Sequence, residues 1–139
     1  MTLGLIHASR GDTAAAEAQC RAVADTGHPQ HAPHAWFNLG TMHQRRREAR
    51  RAIAAYREVL AADRSEYTAR AALNLGFVLF NQLGDVAGAE QAFQLAIETG
   101  QPDQARMAAL NLAAMRHLAR TGPQGIRYAA VDDGPAPPS

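Results

Sequence analysis

A six-residue phrase is written three times in this chain, as AWFNLG at 35–40, AALNLG at 71–76 and AALNLA at 108–113. Its asparagines, Asn38, Asn74 and Asn111, fall 36 and then 37 residues apart. A fixed period of that size, in a chain without strand-like alternation, is the mark of stacked helical hairpins, none of which buries its own apolar face alone. The repetition restricts the chain to a solenoid and points to a binding surface.

The match extends beyond the asparagine phrase. Gly11-Asp12 recurs as Gly84-Asp85, Gly27 as Gly100, Pro29 as Pro102 and Asn38 as Asn111, each pair separated by 73 residues. The middle copy is one residue shorter, with Arg45-Arg46-Arg47-Glu48 in place of the Gly-Asp punctuation. Apolar residues recur at helical spacing, with Trp36, Leu39, Gly40 and His43 on one helix and Ala52, Tyr56, Val59 and Leu60 on the next. Asp12 and Asp85 are placed to cap helices, and Gly27 and Gly100 to end them with a left-handed residue. Alanine supplies 31 of the 139 residues, which favours close-packed helices throughout. The fold class is therefore all-α. Seven helices are expected, over 2–9, 12–26, 31–46, 48–62, 65–83, 85–99 and 102–120. They divide into a repeat domain, 1–120, with units 1–28, 29–64 and 65–101 and a cap helix over 102–120. A Pro/Gly-rich tail, 121–139, is expected to be disordered.

All 14 basic residues are arginine, a bias expected of a GC-rich, bacterial genome, and the net charge is +1. So small a charge gives no general attraction to nucleic acid or an anionic membrane. The single cysteine, Cys20, forms no internal disulfide, and no apolar run reaches the roughly 20 residues of a membrane span. These features point to a soluble cytoplasmic protein.

Trp36-x-x-Leu39-Gly40 followed by Ala52-x-x-x-Tyr56, with Ala89-x-x-x-Phe93 repeating the second half, resembles the tetratricopeptide family over residues 2–120. The asparagine-leucine-glycine phrase also gives it some Sel-like repeat character. His43 stands where that family has an aromatic, Ala72 and Ala109 replace the tryptophan, and Arg64 replaces a closing proline. The resemblance implies a right-handed superhelical α-solenoid, about three repeats plus a capping helix, whose concave groove holds a peptide or protein partner. It also implies that Asn38, Asn74 and Asn111 form a ladder bonding the partner's backbone, since an amide both donates and accepts. Neighbouring turns add His34, Arg70 and Met107, then Thr41, Phe77 and Ala114, then Arg45 and Asn81. Arg70 with Asn38 and Asn74 makes a donor-rich site suited to a carboxylate or a backbone carbonyl. The competing reading is that the asparagines bond neighbouring helices within the array.

The remaining candidates are weaker. His28, His31 and His34 have a metal-like spacing, but the prolines among them and the lack of a nearby cysteine or carboxylate favour ordinary turn histidines. Arg45, Arg46, Arg47, Arg50 and Arg51, with Arg57 beyond, form a cluster that Glu48 interrupts and no aromatic residue joins. Cys20, Trp36, Tyr56 and Phe93 read as core residues. No nucleophile elbow, phosphate loop or zinc signature is present, so no catalysis, cofactor or metal is expected. The expected role is an adaptor for a protein partner. The alternatives are self-assembly through an exposed terminal repeat and, more weakly, polyanion binding through the Arg45 to Arg57 cluster. The apolar tail stretch over 125–131 could occupy the groove of its own or a neighbouring molecule.

Overall fold

In a computed structural model of the chain, residues 10–62 and 66–121 are described. They form six helices: α1 (Arg10–Asp25), α2 (Ala32–Arg45), α3 (Ala49–Ala61), α4 (Thr68–Leu83), α5 (Val86–Glu98) and α6 (Pro102–Thr121). No strand occurs among the described residues. Each helix packs on the next, and α4 also touches α6. The architecture is a helical repeat solenoid of hairpins. The helix expected over 2–9, Arg64 and the tail from 122 onward lie outside the described residues.

The turns show how the repeat is punctuated. Gly27, Gly84 and Gly100 have φ of 66°, 68° and 78°, left-handed values that let the chain reverse after a helix. In the middle copy the same place is taken by Arg47, with φ 62°, where a side chain is strained. Asp85 caps α5 by accepting the Gly88 N–H at 2.9 Å. Asp12 lies within α1, which is already helical from Arg10, and not at the position before its start. Helix α4 begins at Thr68, three residues later than expected, because Glu66 and Tyr67 form a turn that leads into it.

The core runs through the stack. Phe37, Tyr56, Leu73, Val78, Phe93 and Met115 belong to one cluster spanning α2 to α6. A smaller cluster of Ala24, Ala35, Leu39 and Ala55 joins α1 to α2 and α3, with Cys20 and Trp36 packed at its edge. Trp36 is thus a half-buried residue, with the Arg21 guanidinium 5.3 Å from its ring, and its neighbour Phe37 is the buried wedge. Each fully buried Phe or Leu contributes about 1.5–3 kcal/mol, so this cluster carries most of the stabilisation.

Glycine in the repeated phrase has a packing reason. A Cβ on Gly76 would stand 2.6 Å from Cε1 of Phe93, and one on Gly40 would collide with the Tyr56 ring. The bare backbone of the first helix lets the aromatic ring of the second lie directly against it.

Candidate partner-binding site

The first helices of successive repeats, α2 and α4, meet at an aromatic contact. The exposed imidazole of His34 lies flat on the half-buried ring of Tyr67, with centroids 4.8 Å apart and planes 5° from parallel. On the same ring, the Arg70 guanidinium carbon is 5.8 Å from the centroid. Phe37 supports Tyr67 from the core side at 5.5 Å. Residues from two repeats are thereby gathered into one patch holding a guanidinium, an imidazole and an aromatic face. Tyr67 was not among the residues singled out from sequence. Its signal was an aromatic residue one helical turn before Arg70.

The repeated asparagines divide. Asn74 is fully buried, and its Nδ2 donates to the Tyr56 hydroxyl at 3.4 Å. That hydroxyl in turn donates to Gln44 Oε1 at 2.5 Å, so a polar chain crosses α4, α3 and α2. Asn111 is buried, at 4% exposure. Of the three asparagines expected to form a ladder, Asn38 alone presents a partly exposed side chain in this structure. Thr41 is buried too, its hydroxyl donating to the Asn38 carbonyl at 2.9 Å. Arg45 and Asn81 are exposed, and Phe77 is half-buried. The Asn81 amide donates to the Phe77 carbonyl at 3.2 Å. Met107 and Ala114 are half-buried on α6.

The three turn histidines do not converge. His28 and His31 stack on each other at 4.6 Å, while His34 turns to Tyr67. His28 Nδ1 accepts the Gln30 N–H. Among the described residues, no group of three or more His, Cys, Asp or Glu is placed to hold a metal. The arginine cluster is partly neutralised, since Arg46 bonds Glu17 at 2.8 Å and stands 3.8 Å from Glu48. Burial, with the Glu17 charge adding to it, pushes the Cys20 thiol up, away from the thiolate a nucleophile needs.

Beside this cluster lies a tie that the sequence concealed. His43 is 1% exposed, and its Nδ1–H donates to Glu48 Oε1 at 2.7 Å, while Nε2 stands 3.8 Å from Glu17 Oε2. The histidine in the place of an aromatic therefore fastens α1 and the start of α3 to α2. Its bond holds the Glu48 carboxyl below the usual range, and the Arg46 bond does the same for Glu17.

Two shallow depressions lie elsewhere on the described surface. One of about 400 Å³ lies between α5 and α6, where Arg116 bonds Glu90 at 2.8 Å. The other, about 350 Å³, is bounded by Glu48, Ala49, Arg50, Arg51 and Leu83. Neither is lined by His34, Tyr67 or Arg70. Among the described residues, no helix is long and apolar enough to cross a membrane.

Comparison with protein families matches residues 33–66 to the Tetratricopeptide repeat, with no support for Sel-like character. No curated protein and no solved structure gives a significant match. The matched segment covers α2, α3 and the turn into α4, the hairpin in which Gly40 receives the Tyr56 ring. Residues 33–66 are a tetratricopeptide repeat.

Proposed function

We propose that the chain is a protein-interaction module, without catalysis of its own, that holds an acidic peptide segment of a partner across the α2–α4 face. The observation that carries this reading is the stack of His34, Tyr67 and Arg70, which joins two repeats around one ring. His34, Asn38, Arg45, Arg70, Phe77 and Asn81, the partly or fully exposed residues of the expected groove, carry no carboxylate, although Glu66 is exposed in the turn beside Tyr67. Guanidinium, imidazole and amide groups donate hydrogen bonds to a carboxylate or a backbone carbonyl, and Phe77 offers apolar contact beside them. Asn74 acts from beneath, tying α4, which carries Arg70 and Phe77, to Tyr56 of α3.

Affinity capture from the source organism, with the wild-type chain as bait, tests the proposal. Arg70→Ala should weaken the captured partner's binding by about 2 kcal/mol, roughly thirtyfold, as expected for loss of a charged hydrogen bond. Arg57→Ala, on α3, should leave binding unchanged. Retention of the same partner at full affinity by Arg70→Ala and His34→Ala would overturn the reading. Binding lost with Arg57→Ala and Arg50→Ala but kept with Arg70→Ala would assign the function to the arginine cluster.

A further inference from the structure

Helix α6 is built like α2 and α4 but is covered differently. In α2, Pro33, Phe37 and Gly40 are buried, and in α4 so are Ala69, Leu73 and Gly76. The matching residues of α6 are Arg106, Leu110 and Ala113, and all three are exposed. Leu110 is 63% exposed, where Phe37 and Leu73 are at 0%. With His117, these residues succeed one another at steps of four, three and four, and so form one stripe along the helix. On α2 and α4 this stripe lies under the next helix of the hairpin and its ring.

The chain that follows α6 has the length and chemistry to cover it. Tyr128 stands 15 residues after Ala113, close to the 16 from Gly40 to Tyr56 and the 17 from Gly76 to Phe93. From Ala113 to the end of α6 is about 12 Å at helical rise. The seven residues from Thr121 to Tyr128 extend up to about 23 Å, enough to return to that level. Gly122, Pro123 and Gly125 oppose a helix there, so an extended strap fits better than a regular partner. In such a strap Ile126, Tyr128 and Ala130 share one face. Alanine at 113, in place of glycine, suits a ring resting on the outside of the helix. A strap running back along α6 carries Asp132 and Asp133 toward Arg106, whose recorded partner is Asp103 at 3.9 Å.

We propose that residues 122–139 fold back across the open stripe of α6, seating Tyr128 over Leu110 and Ala113 and bringing Asp132 or Asp133 beside Arg106. The chain then closes its own array. Cross-linking of the full chain tests this, in a Cys20→Ala background that removes the native thiol. The pair Ala109→Cys with Ala130→Cys should form an intramolecular disulfide about tenfold faster than Ala109→Cys with Ser139→Cys, through its higher effective concentration. Adding Tyr128→Ala should abolish that advantage. Equal rates for the two pairs would overturn the proposal, as would a covalent dimer as the main product, since a second copy would then cover the stripe. Hydrogen exchange provides a second readout. Replacing Ile126 and Tyr128 by alanine should speed exchange of amides 106–117 about tenfold and leave α2 to α4 unchanged. Unchanged exchange in α6 would count against the strap.

Discussion

A single missing atom explains why the repeated phrase ends in glycine. At Gly76 an added Cβ would stand within 3 Å of three Phe93 ring carbons, so either the ring or the helix must move. Alanine is the better helix former by about 1 kcal/mol, which would favour the substitution on an isolated helix. Overpacking a rigid ring costs about 1–3 kcal/mol, so Gly76→Ala should be a net loss of stability, read as a lower denaturation midpoint with an unchanged slope. Arg47 poses the opposite case. It holds the left-handed conformation that Gly84 adopts one repeat later. Arg47→Gly relieves a strain of about 1–2 kcal/mol and adds unfolded-state entropy, and should raise stability by about 0.5–1 kcal/mol in the same measurement. The repeated asparagine shows where sequence falls short at this scale. An amide in an apolar run reads equally as a ligand contact or as an internal bond. The Tyr56 hydroxyl to which Asn74 donates lies 18 residues away and on another helix.

Among helices, the packed pairs were legible because 3.6-residue periodicity, alanine content and glycine punctuation all agree on them. The polar ties between them were not. Glu17, His43, Arg46 and Glu48 come from α1, α2 and the residue that leads into α3, and nothing in their spacing announces the contact. A pH dependence follows from this group. Both carboxyls are held below their usual value of 4.5, Glu17 first by the Arg46 bond and Glu48 first by the His43 bond. Groups lowered on folding add stability that is present above about pH 4.5 and lost as pH falls through the folded values. Thermal melts of the wild type and of Glu17→Gln and Glu48→Gln should therefore differ most near neutral pH and converge as the pH falls through the lowered values of the two carboxyls. A constant gap at all pH values would show that the carboxylate charges are not what joins these helices. Tyr67 escaped notice for a related reason. It stands in a turn, outside the helical pattern, and only the fold brings the His34 ring onto it.

At the level of the molecule, the order of the helices follows from the period alone, while the difference between the two ends needed coordinates. The same phrase yields a buried stripe on α2 and α4 and an exposed one on α6 among the described residues. Stability in such arrays is the sum of hairpin and nearest-neighbour contributions, so the character of each junction matters separately. The bond from Asn74 to Tyr56 is specific to one junction, because Phe93, standing in the place of Tyr56, has no hydroxyl to offer. The His43 group likewise strengthens the α1 side. Under tension applied at its ends the molecule is therefore not symmetric. Among the described residues, the Glu17, His43, Arg46 and Glu48 group and the Asn74–Tyr56 bond join α1 to α4, while Arg116 and Glu90 join α5 to α6, so the described array should yield first at α6. A partner pulling on the chain would find one end that yields and one that holds.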